Sequence, residues 1–108
     1  MSEYLDYIKD SFAGLGVVTA KRMFGGHGIY YDGTMIALVS DDMLYLKADA
    51  QTAPLFKEKE LAQFAYQREG KMVALSYFQA PEEVLDDPAG MCEWAMLAYE
   101  AALRSRKP

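Results

Sequence analysis

The fold is decided by the segment GIYYDGTMIALVS at residues 28–40. Two β-rich runs, 28–31 and 34–40, flank Asp32-Gly33, a dipeptide that favours the positive φ angles of a two-residue hairpin turn. Asp41-Asp42 then separates the second run from residues 43–47 and predicts another tight turn. We therefore expect three consecutive antiparallel strands arranged as a meander.

A second hairpin is predicted downstream of this meander. Residues 64–68 and 71–78 are β-rich and flank Glu69-Gly70. Between the meander and this hairpin, residues 49–59 predict a short helix capped by Asp49. Its regular part is expected to begin near Pro54, because proline is costly inside a helix.

Helices are predicted at both ends of the chain. Ser2 is a candidate N-cap for a helix over residues 2–14, along which apolar side chains recur at helical spacing. Asp87 and Pro88 predict the start of the last helix, which runs to about Arg104. Apolar residues cover most of its circumference, more than a surface helix needs, so this helix either packs on two sides or contacts another subunit.

The predicted order is helix, three strands, helix, two strands and helix. This order indicates an α+β domain, with a five-stranded antiparallel sheet covered by helices on one face. Residues 17–24 are ambiguous between an irregular stretch, a short strand and a helical turn, while 81–85 predict one helical turn. The 108 residues fit a single domain over positions 1–108.

Charge and composition narrow the classes of function. The formal net charge is −5, which repels a phosphate backbone, so direct nucleic-acid binding is expected to be absent or weak. The candidates for a local basic patch are Lys21-Arg22 and, in the tail, Arg104, Arg106 and Lys107. The N-terminus lacks a secretory pattern and no run reaches the ~18 apolar residues of a membrane span, so we expect a cytoplasmic protein without membrane contact. The single cysteine, Cys92, is expected to be a buried and inert thiol.

Candidate chemical motifs have simpler structural interpretations. Gly25-Gly26-His27-Gly28 could cradle a phosphate, but such loops usually open a helix and this one leads into a strand, which favours a tight entry into the sheet. His27 is the only histidine; it could serve a small-molecule or hydrolytic site, but a metal centre needs companions that the sequence lacks. The acidic pairs at 41–42, 82–83 and 86–87 are interpreted as turn and cap residues. We predict no catalytic residue, metal or cofactor.

Aromatic side chains on the predicted strands allow two interpretations. An RNA-binding sheet stacks bases on exposed aromatics beside basic residues, and Lys47 and Lys71 could supply the charges. The composition lacks a basic excess, so core packing is the favoured interpretation. The aromatics concerned are Tyr30, Tyr45, Tyr66, Tyr77 and Phe78.

Three segments resemble the TfoX N-terminal domain family. The family signature is matched by the run Lys21-Arg22-Met23-Phe24-Gly25-Gly26-His27-Gly28-Ile29-Tyr30. Its third strand is matched by Asp41-Asp42-Met43-Leu44-Tyr45-Leu46-Lys47, and its last strand and exit turn by Ser76-Tyr77-Phe78-Gln79-Ala80-Pro81-Glu82-Glu83. The closing Asp87-Pro88 helix with Trp94 also fits, so the resemblance extends from about Phe12 to Arg104.

The resemblance implies a fold of the order α-β3-α-β2-α, similar to secretion chaperones, and a role in the control of DNA-uptake competence without known chemistry. Full-length regulators of this family resemble two-domain proteins, whereas this chain ends at Pro108, so we expect either a stand-alone single-domain version or a shortened form of a longer protein. We predict a regulatory module that binds a protein partner or a second copy of itself through the last helix. The alternative is a nucleic-acid-associated module that uses the Lys21-Arg22 edge.

The candidate interaction and signature residues follow from the matched segments. They are Lys21, Arg22, Met23, Phe24, Gly25, Gly26, His27, Gly28, Tyr45, Lys47, Ser76 and Tyr77. Phe24 is expected to turn inward, giving segment 22–28 a mainly structural role. Arg22 is the residue best suited to bind a carboxylate, either of a partner or within the fold.

Overall fold

A computed structural model describes residues 3–23 and 25–106. It confirms an α+β domain with an antiparallel sheet. The elements are α1 (Glu3–Ser11), β1 (Val18–Met23), β2 (Gly26–Tyr31), β3 (Thr34–Ser40), β4 (Met43–Lys47), α2 (Ala53–Glu58), β5 (Gln63–Arg68), β6 (Lys71–Gln79), a 3-10 turn (Glu82–Val84) and α3 (Pro88–Ser105). The predicted N-cap Ser2 lies outside the described residues.

The sheet has six strands in the order β1-β2-β3-β4-β6-β5, so the predicted five-stranded sheet and the order α-β3-α-β2-α are wrong. The additional strand is β1, which falls in the segment that the sequence left ambiguous. It pairs with β2 in an antiparallel register from Val18 opposite Tyr31 to Met23 opposite Gly26. Its pattern is weak because an edge strand with both faces partly exposed does not need regular apolar alternation.

Two-residue turns join the strands of the meander and of the second hairpin. Asp32 has a φ of 52° and Gly33 a φ of 76°, as the predicted hairpin requires. The Asp41-Asp42 turn also has positive φ at both residues, 57° and 59°. These angles place the acidic pair in a structural role, because Asp tolerates the left-handed region better than most side chains.

All three helices contribute to one hydrophobic core on one face of the sheet, the helix-side core. Its largest fully buried side chains include Ile8, Phe12, Ile29, Ile36, Leu46, Phe56 and Met91. The broad apolar surface of α3 is used on two sides. The ring of Trp94 lies 5.1 Å from that of Phe56 on α2, and the ring of Tyr99 lies 4.9 Å from that of Tyr31 on β2.

An ion pair joins the end of α3 to the entry of α2. Arg104 Nε donates to Asp49 Oδ2 at 2.5 Å, while Asp49 Oδ1 accepts from the backbone N–H groups of Gln51 and Thr52. The hydrogen bond from Arg104 lowers the pKa of Asp49 to about 2. Asp49 therefore caps the turn that precedes α2 and not the helix itself, whose N-cap position is Thr52, so the predicted cap of the helix is wrong. The regular helix begins close to Pro54 as predicted.

Candidate functional site: the open face of the sheet

A second hydrophobic cluster lies on the face of the sheet opposite the helices. Leu38, Phe64 and Tyr77 are buried at its centre. Half-buried side chains surround them: Met23, Met35, Tyr45, Tyr66 and Leu75. Within the described part of the chain, every member of this cluster comes from a strand. We call this surface the open face.

A β-bulge determines which side chains reach the open face. Ile29 pairs with Ala37 and Tyr30 pairs with Met35, so Ile36 is an additional residue in β3. Ile36 and Ala37 consequently both enter the helix-side core, while Met35 packs against the open-face cluster. The simple alternation expected from the sequence does not contain this bulge.

Aromatic rings contact one another along the open face. The ring centroids of Tyr45 and Phe64 are 5.0 Å apart and meet edge to face, and those of Phe64 and Tyr66 are 6.3 Å apart and stacked. Burial, together with the neighbouring Tyr30, raises the pKa of Tyr77 to about 12. Tyrosine is neutral at physiological pH even without this shift, so the raised pKa reflects the burial of Tyr77 and not a change in its charge.

Two lysines lie over rings of the open face. Lys21 Nζ is 5.0 Å from the ring centroid of Tyr30, and Lys47 Nζ is 5.2 Å from that of Tyr77. Both distances are within the range of cation–π attraction. Burial lowers the pKa of Lys47, and the nearby Asp49 carboxylate partly offsets this shift.

Two further cations share this face. Tyr66 pairs with Val73, and Arg68 pairs with Lys71. Because alternate residues of a strand point to the same side, Arg68 and Lys71 lie on the face of Tyr66. Arg68 was not among the residues predicted from the sequence, although its spacing of two from Tyr66 is the signal that could have identified it.

Acidic and basic residues are distributed differently between the strands and the rest of the chain. The six strands carry Lys and Arg but contain no Asp or Glu. All 16 acidic residues of the chain lie in helices, turns and loops. The net charge of −5 is therefore a property of the rest of the molecule and not of the open face.

The signature segment forms the β1–β2 hairpin. Lys21 and Arg22 are both exposed and point to opposite faces of the edge strand β1. Gly25 lies in the turn with a φ of 75°, and a Cβ on Gly26 would overlap the carbonyl oxygen of Val39. These two glycines support the interpretation of a tight entry into the sheet. Phe24 lies outside the described residues, and its inward orientation stays a prediction.

Gly28 has a packing role on the open face. A Cβ at this position would lie 3.0 Å from both Met23 Sδ and Met35 Cε. The two methionine side chains therefore cover the backbone at Gly28. The signature glycines Gly26 and Gly28 thus face different neighbours for different reasons.

His27 and Ser76 do not form a common site. His27 lies beside Asp41 and Asp42 in a cavity of about 220 Å³, whose described lining residues include no Ser, Thr or Cys. Ser76 is on β6, with β3 and β4 between it and β2, and its hydroxyl donates to the carbonyl oxygen of Ala48. Residues 3–23 and 25–106 contain no group of three side chains able to hold a metal ion.

Two other expectations concern the thiol and the membrane. Cys92 is half-buried and free, beside the turn at Gly14, so it is less buried than expected. None of the helices in the described part of the chain combines the length and apolar character that crossing a bilayer requires.

Comparison with known proteins adds a family to this geometry. Residues 10–102 match the TfoX N-terminal domain. Protein Sxy of Escherichia coli (strain K12) is 26% identical over 98 residues, which are 91% of this chain and 47% of Sxy. DNA transformation protein TfoX1 of Aliivibrio fischeri (strain ATCC 700601 / ES114) is 26% identical over 93 residues, 86% of this chain and 44% of the relative. The chain spans about half the length of these curated relatives.

Proposed function

Because this chain belongs to the TfoX N-terminal domain family, we propose that it is a regulatory domain in the control of DNA-uptake competence. The similarity to a protein named for DNA transformation supports this role. We further propose that the domain acts by binding a protein partner and performs no catalysis.

The observation that carries the proposal is the placement of the signature residues. Gly25 and Gly26 shape a turn, and Met23 packs on the open face. His27 and Ser76, which could have performed chemistry together, lie three strand positions apart in the sheet. This arrangement gives a hairpin with exposed cations and keeps His27 apart from Ser76, which supports a role in binding.

The outward side of α3 is the surface that we propose for protein contact or self-association. Met96 and Leu103 are each 41% exposed. Their spacing of seven residues places them on the same side of the helix, two turns apart. Glu93 and Glu100 are exposed on the same side, so a partner with apolar and basic groups would fit this surface.

The test is a double variant, Met96→Glu with Leu103→Glu, in the full chain. The matched control is Leu55→Glu, because Leu55 is 40% exposed on α2. We expect the double variant to keep its melting temperature but to lower transformation frequency in a competent bacterium whose own copy of the gene is deleted. We also expect it to abolish any self-association seen by sedimentation at high concentration.

An unchanged transformation frequency, together with a monodisperse wild-type monomer, would contradict the contact through α3. Loss of transformation in the Leu55→Glu control as well would show that the effect is not specific to this surface. Deletion of the gene without any effect on transformation would contradict the competence role itself.

A second candidate function is a nucleic-acid-associated module that uses the Lys21-Arg22 edge. It is favoured by the position of both exposed cations on the edge strand β1. Nucleic-acid binding that is weakened to the same extent by substitution of Lys21 and by substitution of Arg22 would support this function.

A further inference from the structure

We propose that the open face binds single-stranded nucleic acid, by stacking bases on its tyrosine rings while its lysine and arginine side chains contact the phosphates. The proposal goes beyond the regulatory role and does not depend on the contact through α3. It rests on the juxtaposition of aromatic rings and cations, carried by strands that contain no Asp or Glu, on a sheet face that the described helices leave uncovered.

The rings are placed to receive bases. Tyr30, Tyr45 and Tyr66 are half-buried and rise from β2, β4 and β5, while Phe64 and Tyr77 are buried beneath and beside them. Half-buried rings that pack against a fixed layer keep their orientation and still expose surface. Stacking of unpaired bases on such rings is the main source of affinity in sheets that bind single strands.

The cations lie on both sides of the aromatic centre. Lys21 is on β1 and Lys47 on β4, whereas Arg68 and Lys71 are at the far edge on β5 and β6. With strands about 4.8 Å apart, β1 and β5 are separated by about 24 Å across the sheet. A strand of several nucleotides spans this distance, so phosphates can reach cations at both edges while bases meet the rings between them.

The acidic composition does not oppose this binding mode. The carboxylates closest to the four cations of the open face are Asp49, near Lys47, and Glu69, in the turn between Arg68 and Lys71. The cations outnumber these two carboxylates, so the local charge of the open face has the opposite sign to the total charge. The weak binding expected from the total charge therefore applies to ligands that contact the whole molecule. A duplex keeps its bases stacked inside and offers the rings nothing to stack on, so we expect duplex binding to be weak.

A second copy of the chain and an acidic protein segment fit this face less well. Self-docking of this face would enclose the four cations of each copy in one interface, and eight cations are unfavourable there without intervening anions. An acidic peptide would neutralise the cations but would leave the ring faces without planar partners. A single-stranded polyanion with planar bases satisfies both features.

The primary test is fluorescence anisotropy with the full chain and a labelled twelve-residue oligothymidylate. We expect a Kd of about 10⁻⁵ M at 50 mM salt, and binding of a duplex of equal length at least about tenfold weaker. If four phosphates are neutralised, log K should fall with log salt at a slope of about −3 for a single strand.

Variants separate stacking from charge. Tyr30→Leu and Tyr45→Leu keep apolar volume and should each weaken binding about tenfold, with little change in the salt slope. Lys21→Gln combined with Arg68→Gln should lower the slope to about half. The matched control is Lys57→Gln combined with Lys9→Gln, which removes the same charge from the helices.

Circular dichroism and the melting temperature establish that each variant is folded. Lys21 and Arg68 are exposed, so their substitution removes none of the rings. The proposal would be overturned by a Kd above about 1 mM at low salt, or by equal affinity for duplex and single strand. Equal weakening by the helix-side control would also overturn it. Displacement of the oligonucleotide by polyglutamate at equal charge concentration would assign the face to an acidic protein segment instead.

Discussion

The substitution Gly26→Ala tests whether the signature hairpin has the close backbone approach described above. A Cβ at this position would overlap the carbonyl oxygen of Val39 and lie 3.0 Å from the Cα of Ser40. These neighbours are backbone atoms of the central strand β3, so they cannot rotate away as a flexible side chain can. We expect a loss of about 3 kcal/mol in the free energy of unfolding, because β2 must shift away from β3.

Gly25→Ala is the control for the loss of stability expected in Gly26→Ala. Among residues 3–23 and 25–106, no atom outside the neighbouring residues lies within 4 Å of a Cβ on Gly25, but its φ is 75°. The expected cost is therefore only that of the left-handed backbone, about 1 kcal/mol. Gly33→Ala has the same open surroundings with a φ of 76° and should cost the same amount.

Urea unfolding followed by circular dichroism measures all three variants on one scale, since the midpoint at constant slope reports the change in stability. Gly26→Ala should be much less stable than the wild type, whereas Gly25→Ala and Gly33→Ala should have similar stabilities. A Gly26→Ala variant as stable as Gly25→Ala would refute the close approach and would free this glycine for a role in recognition.

Three further predictions concern the core, a turn and pH. Phe56→Ala should lower the free energy of unfolding by about 3–5 kcal/mol, because Phe56 is 1% exposed and its ring contacts those of Phe78 and Trp94. The neighbouring Leu55 is exposed, so Leu55→Ala should change the free energy of unfolding in urea by less than about 0.5 kcal/mol. Asp42→Gly should raise stability by about 0.5–1 kcal/mol in calorimetry, because glycine adopts the φ of 59° without strain. The pKa of Asp49 is lowered from 3.8 to about 2 in the folded chain, so its ion pair contributes stability above pH 4 that is lost as the pH falls towards 2. The melting temperatures of the wild type and of Asp49→Asn, followed from pH 6 to pH 2.5, should therefore converge at the acidic end. A constant difference between the two melting temperatures would contradict this.

The sequence was sufficient where a local rule determines the structure. Asp32-Gly33 and Glu69-Gly70 fixed two hairpins through the φ angles that their turns need, and Asp87-Pro88 marked the start of α3. The sequence was not sufficient for β1, because its exposed edge position removes the selection for apolar alternation. The bulge at Ile36 could not be predicted from the sequence either, because it depends on the pairing of β3 with β2 and not on either strand alone.

The sequence identified several residues of the candidate site but not how they are arranged in space. Tyr45, Lys47 and Tyr77 were identified from their segments, and the structure brings all three to one face. The absence of Asp and Glu from all six strands is hidden in the composition, because composition averages charge over the whole chain. Core packing and base stacking were posed as alternatives for these aromatics, whereas the structure divides the set between the two faces of the sheet.

The strand order has a consequence for the path by which the chain folds. Strands β1 to β4 pair only with sequence neighbours through hairpins, so this meander closes short loops and can form on the microsecond scale of hairpins. The pairing of Lys47 with Tyr77 instead joins distant parts of the chain, and it needs the β5–β6 hairpin to approach with β6 inward. Closing that larger loop carries more entropy loss and comes before the α3 contacts with β3 and β4 that reward it. We expect docking of this hairpin to limit the folding rate, with the meander acting as the template on which the C-terminal half assembles.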